Sequence, residues 1–100
     1  LTREWAVDLI QFGIRSNAII IAESLTPAYH DWLNTLPDGD VVLKKINKSI
    51  PFESRMTSPD EIADTVVFII SDRSSHTTGQ FVFVDGGYVH LDRALINDVN

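Results

Sequence analysis

The chain has no cysteine among its 100 residues, which excludes disulfides, thiolate metal sites and a thiol nucleophile together. That lack fits a reducing compartment, and a cytoplasmic location is expected. Cations are scarce: eight Lys and Arg face fourteen Asp and Glu, a formal net charge of −6. No nucleic-acid partner is expected from this balance, because phosphate binders gather Lys and Arg on one face. The one basic cluster, Lys44, Lys45 and Lys48, is expected on the solvent side of a short helix. Long apolar runs are missing too. No purely apolar stretch, Ala18 to Ala22 included, approaches the roughly 18 residues that cross a bilayer, so no membrane partner is expected. His30, His76 and His90 lie far apart without metal-ligand spacing, and no metal site is expected. A start signal is also lacking. No Ser, Asp, Asn or Pro precedes Leu1 to cap a first turn, and there is no initiator Met. The expectation is that these residues are the later part of a longer polypeptide.

What is present reads as alternating α and β. Leu1, Trp5, Leu9 and Phe12 share one apolar helical face, and Gly13 stands where a left-handed stop belongs. Ala18 to Ala22 is apolar without alternation, which predicts a parallel strand covered on both faces. Pro27 is expected to open a short helix containing Tyr29, Trp32, Leu33 and Leu36, and Pro37-Asp38-Gly39-Asp40 a turn. Val41 to Ile50 is expected as a second short helix, stopped by Pro51. Ser58-Pro59-Asp60-Glu61 forms a capping box with proline at the first helical position. The helix behind it is predicted to be amphipathic through Ile62, Ala63, Val66, Val67 and Ile70 and to end near Asp72. Ser74 to Gly79 is a polar loop, Gln80 to Asp85 a second strand, and Gly86-Gly87 its end. The order is that of one right-handed βαβ crossover with a helix in front. Two parallel strands make a poor sheet alone, so further strands are expected to precede residue 1.

The exit of the first strand is the best physical candidate for a site, since open parallel sheets bind ligands beyond their strand carboxyl ends. Ala22, Glu23, Ser24 and Thr26 stand there. An ordinary turn, with Thr26 capping the helix that begins at Pro27, explains the same residues equally well. Tyr29 and Trp32, one helical turn apart, either wall a pocket or cover core. Asp85-Gly86-Gly87 reads better as a strand terminator than as a phosphate loop, because the carboxylate repels phosphate. Arg55 and Arg73 are expected to be solvated.

The residues Gly13 to Ile19, Thr26-Pro27, Ser58 to Ala63, Thr78-Gly79-Gln80 and Val84 to Gly87 resemble the C-terminal part of a short-chain dehydrogenase/reductase. The resemblance covers nearly the whole chain, in order and spacing. It implies an α/β fold, the C-terminal segment of a single doubly wound Rossmann domain over residues 1–100. Within it would lie the end of a helix, a parallel strand, lid helices, a further helix, a parallel edge strand and a tail. Asn17 to Glu23, Ser75 to Gly79 and Val84 to Leu95 look like the L-fucose dehydrogenases, which oxidise the anomeric carbon of sugars such as L-fucose to the lactone.

The resemblance implies NAD or NADP as cofactor, its nicotinamide carboxamide held by Ile21, Ala22, Ser24 and Thr26. Ile21 replaces the usual proline, and Ser24 a usual Val or Ile, a change that a backbone contact survives. Glu23, Tyr29 and Trp32 would face a sugar from the lid. The family's Gly-rich pyrophosphate loop, its ribose-binding acid, its catalytic serine and its Tyr-x-x-x-Lys pair do not occur in this sequence, so no catalytic residue is assigned and the segment alone is expected to be inert. A homotetramer or homodimer is implied, built through the last helix, the last strand and the Tyr88 to Leu95 tail. The same family also contains 3-oxoacyl thioester reductases and steroid dehydrogenases. A truncated paralogue serving as an interaction module is the reading from a different functional class.

Overall fold

The structure, a computed structural model, describes residues 1–90. The Leu91 to Leu95 part of the tail lies outside the described residues. Four α-helices and two strands follow in the order α1 (Thr2–Leu9), β1 (Ala18–Ile21), α2 (Pro27–Asn34), α3 (Gly39–Lys48), α4 (Pro59–Ile70) and β2 (Phe81–Val84). Single 3-10 turns occupy Ile10–Phe12, Asp72–Ser74 and Tyr88–His90. The two strands pair in parallel as one sheet. The described residues divide into two compact units, 1–20 with 60–84, and 21–59 with 85–90.

The first unit is held by the tripeptide Arg15-Ser16-Asn17. Gly13, at φ +67°, ends the Ile10–Phe12 turn in the left-handed region, as the sequence predicts. Beyond it, Arg15 finds its partners 54 to 62 residues away in sequence. Arg15 spreads both terminal nitrogens over four acceptors: Nη1 donates to Ser74 Oγ (3.1 Å) and Thr77 O (3.0 Å), and Nη2 to Ile69 O (3.0 Å) and Ser71 O (3.2 Å). The guanidinium therefore sits on the last carbonyls of α4, where a cation is favoured by the helix dipole. Ser16 N donates to Thr78 Oγ1 at 3.1 Å, and Gly79 N to Ser16 O at 2.7 Å. Asn17 completes the register: its Nδ2 donates to Thr77 O and its Oδ1 accepts from Gln80 N, both at 3.0 Å. Ala18 N then donates to Gln80 O at 2.9 Å, and the β1–β2 ladder begins. The Arg3 guanidinium lies 4.8 Å over the Phe81 ring.

Burial in this unit departs from the sequence pattern. Leu1, Trp5 and Phe12 are exposed, and the residue of α1 that is buried is Ala6, against Gly79. On α4 the apolar residues divide unevenly between inside and outside. Val66, Val67 and Ile70 are exposed (Ile70 74 %), and Ile69 is the buried residue. Because α4 is apolar on nearly every side, its composition carries no sign of which stripe turns in. Nor is β1 covered on both faces within this chain, since Ile20 and Ile21 are exposed.

The second unit packs around Leu33, Ile50 and Met56. Thr26 caps α2, its Oγ1 accepting from Tyr29 N at 3.2 Å, and Pro27 takes the first helical position. The helix ends at Asn34, so Leu36 falls beyond it. The next begins two residues earlier than predicted, at Gly39, because Asp38 and not Asp40 precedes its first turn. A Cβ on Gly39 would land on the Leu33 carbonyl oxygen, so the α2–α3 corner closes backbone against backbone. Asn47 Oδ1 accepts from Met56 N at 3.2 Å and ties the loop beyond α3 back to that helix. Lys44, Lys45 and Lys48 are exposed, as expected. Arg55 is not simply solvated: it pairs with Glu53 at 3.1 Å and donates to Met56 O at 3.1 Å. Glu53 and Ser54 both adopt positive φ, +64° and +51°, although neither is glycine. Phe52 N donates to Gly86 O at 2.9 Å, and Gly86, at φ +61°, sits against Ile50.

Candidate functional site

The residues beyond the carboxyl end of β1 lie in the second unit, and the way they are pinned decides what they can offer. Ser24 pairs in a parallel bridge with Thr57, and Thr57 N donates to Glu23 O at 3.1 Å. Ser24 O accepts from Thr26 N at 3.0 Å, which turns the chain into α2. Along this pinned segment Ile21, Ala22 and Thr26 are exposed, Glu23 is half-buried, and Ser24 is buried at 8 % exposure. A small residue at 22 leaves the backbone open to close approach. The Thr26 hydroxyl spends one lone pair on the α2 cap, leaving its proton and a second lone pair. Capping and ligand binding are thus compatible roles for the same oxygen.

Glu23, Tyr29 and Trp32 come together. Glu23 stands close enough to the Tyr29 phenol to act on its titration, and the Tyr29 ring meets Trp32 edge-on, centroids 5.6 Å apart at 85°. Burial holds the phenol above its ordinary pKa of 10.0, and the neighbouring Glu23 carboxylate and Tyr88 push in the same direction. Tyr29 is therefore a neutral donor at physiological pH. Trp32 keeps half its surface exposed, so this is a partly open aromatic wall beside a carboxylate. Tyr88 was missed as a member of the cluster. It is brought there from beyond β2 by Asp85, whose Oδ1 accepts from Gly87 N (2.9 Å) and Oδ2 from Val89 N (3.1 Å). The Asp-Gly-Gly spacing was the available signal, read for its turn and not for where it delivers the next side chain. Because the Asp85 carboxylate is buried and bound to its own backbone, the segment acts as a strand terminator.

Among the described residues no group of three or more His, Asp or Glu is placed to hold a metal ion. Among them, too, no helix is long and apolar enough to cross a membrane.

Comparison with known proteins gives concordant matches. A family model described as enoyl-(acyl carrier protein) reductase matches residues 1–89. A short-chain dehydrogenase, anuF of Penicillium roqueforti, is 42% identical over 87 residues, covering 87% of this chain and 30% of that protein. The 2-keto-3-deoxy-L-fuconate dehydrogenase of Xanthomonas campestris is 37% identical over 89 residues, 88% of this chain and 29% of that one. The crystal structure of Cj0485 dehydrogenase superposes with a TM-score of 0.89 at 50% identity, over 93% of this chain and 36% of that chain. The architecture is accordingly part of a Rossmann-like α/β fold. The chain spans about a third of the length of the curated relatives it matches.

Proposed function

We propose, from the premise that the chain belongs to the short-chain dehydrogenase/reductase family, that it is the C-terminal part of an NAD(P)-dependent oxidoreductase acting on a sugar. Its reaction would oxidise the anomeric carbon of a substrate such as L-fucose to the lactone. Residues 1–100 would be one segment of a single Rossmann domain in a cytoplasmic enzyme. Ile21, Ala22, Ser24 and Thr26 hold the nicotinamide carboxamide, the first three through backbone groups and Thr26 through its hydroxyl. The bound dinucleotide supplies hydride acceptance. The chain's own part is to fix the ring's orientation and to wall the substrate.

The observation that carries the sugar reading is the joining of Glu23, Tyr29 and Trp32 directly after the carboxamide loop. A carboxylate accepts from a sugar's vicinal hydroxyls, a neutral phenol donates or accepts, and an indole face covers the sugar's C–H surface. That the Xanthomonas relative is a fuconate dehydrogenase is consistent with a sugar-derived substrate. The description of the matching family model favours an acyl thioester as the second reading, and a half-buried carboxylate speaks against an acyl tail there. Assembly as a homotetramer or homodimer through α4, β2 and the tail that follows is part of the proposal. Val66, Val67, Phe68 and Ile70 of α4 and Phe81 and Phe83 of β2 all present apolar surface.

The test is a substrate panel of L-fucose, related sugars, acyl thioesters and sterols, run on the full encoded polypeptide with NAD and NADP. Sugar oxidation is expected. Glu23→Gln or Trp32→Ala should raise the sugar KM by roughly 10-fold or more, the scale of one lost charge-assisted contact, with cofactor affinity unchanged. Preferential turnover of the thioester or sterol, unaffected by Glu23→Gln, would refute the reading.

A further inference from the structure

The sequence contains two Asp-Gly pairs, Asp38-Gly39 and Asp85-Gly86, and the structure treats them oppositely. Such a pair is open to an internal reaction, because glycine has no Cβ to shield its amide nitrogen from the neighbouring carboxyl carbon. Asp85 is protected. It is buried at 8 % exposure, and its two carboxylate oxygens are occupied by Gly87 N (2.9 Å) and Val89 N (3.1 Å). Asp38 has neither safeguard. It is exposed, and although it stands at the N-cap of α3 its side chain makes no cap hydrogen bond. Gly39 follows at the first helical position, where an amide N–H has no partner within its own helix.

We propose that Asp38 is a site of spontaneous isoaspartate formation, and that the product unlocks the corner between α2 and α3. The Gly39 nitrogen attacks Asp38 Cγ. The new N–Cγ bond closes a succinimide ring as the carboxyl hydroxyl leaves with the amide proton as water. Water then adds to one of the two ring carbonyls. Addition at Cγ restores aspartate. Addition at the Asp38 main-chain carbonyl breaks its bond to Gly39 N and leaves the chain running through Cβ and Cγ, with the α-carboxylate as a side group. One water leaves and one enters, so no other reactant is needed. In that product Asp38 O, which accepts from Val41 N (3.0 Å) and Val42 N (3.1 Å), no longer belongs to the main chain. The link into Gly39 is also one carbon longer. A Cβ on Gly39 would already land on the Leu33 carbonyl oxygen, so the extra length cannot be absorbed in place and the two helices separate. Helix α2 carries Tyr29 and Trp32, and their wall loses its support.

The test ages the full polypeptide at neutral pH over weeks. Isoaspartate is located by electron-transfer fragmentation of its peptides and counted by enzymatic methylation of the new α-carboxylate. We expect isoaspartate at 38 to accumulate at least about 10-fold faster than at 85, because reaching the Asp85 carboxyl first breaks two charge-assisted hydrogen bonds. Asp38→Asn should speed the same product, releasing ammonia in place of water, and Asp38→Glu, whose ring would be larger, should stop it. A fraction of the aged wild type matching its isoaspartate content should melt below the rest, and aged Asp38→Glu should melt as it did when fresh. No isoaspartate at 38, or equal amounts at 38 and 85, would overturn the site. Isoaspartate at 38 without a lower-melting fraction, or the same melting loss in aged Asp38→Glu, would overturn the unlocking of the corner.

Discussion

Replacing Arg15 by methionine probes how one side chain organises the first unit. Four bonds from a charged donor, at ~1.5–3 kcal/mol each, would suggest a loss near the whole stability of a small domain. The contacts argue for much less. Thr77 O would keep Asn17 Nδ2 at 3.0 Å, Ile69 O would keep Ser74 Oγ at 2.7 Å, and Ser71 O would keep Ser74 N at 3.2 Å. No carbonyl is left without a donor, so the desolvation penalty that dominates buried deletions does not arise. What goes is the second bond on each acceptor and the cation at the α4 terminus, together about 2–4 kcal/mol. Lysine, a point charge without the fork, should recover about half of that. The assay is urea denaturation, with hydrogen exchange followed over residues 69–79, where the loss should concentrate. Ser74→Ala provides the control, because Arg15 and Ser74 share Ile69 O and Ser71 O and their effects should not add. An Arg15→Met loss below about 0.5 kcal/mol, or strict additivity with Ser74→Ala, would refute the network.

Two further outcomes follow from the second unit. Gly86→Ala would set a Cβ 2.7 Å from Ile50 Cγ2 at a φ of +61°, so left-handed strain and overpacking combine to about 2–4 kcal/mol, read from the urea midpoint; a loss under about 1 kcal/mol would contradict the packing. The raised Tyr29 pKa means that folding favours the protonated phenol. That stabilisation is complete below the unfolded value of 10.0 and is lost as pH rises through the higher folded value. Above pH 10 the wild type should therefore lose stability faster than Tyr29→Phe, and NMR of ring-labelled tyrosine in a Tyr88→Phe background should show titration above 10.0. Titration at or below that value would break the Glu23–Tyr29 contact as described.

Local punctuation was the most legible part of this sequence. Gly13, Thr26-Pro27 and Gly86-Gly87 act within a few residues of themselves, and each does in space what its chemistry dictates. The inward stripe of α4 was not legible, because a helix bearing Ile62, Val66, Val67, Phe68, Ile69 and Ile70 offers apolar surface in every direction. Arg15 escaped notice for another reason: its partners are 54 to 62 residues away, and no local pattern distinguishes a stitched arginine from a solvated one. In the candidate site, the strand exit and the pairing of Tyr29 with Trp32 could be read from position. The burial of Ser24 could not, since the parallel bridge to Thr57 that buries it joins segments of unlike composition. Positive φ at Glu53 and Ser54 likewise left no mark, because neither residue type advertises it.

The backbone contact at Gly39 reaches further than its own corner. With no room for a single added carbon between its Cα and the Leu33 carbonyl, α2 and α3 are obliged to travel as one paddle. An inserted residue at that corner would have to part the two helices, so length changes there should be rejected and should show as lost folding.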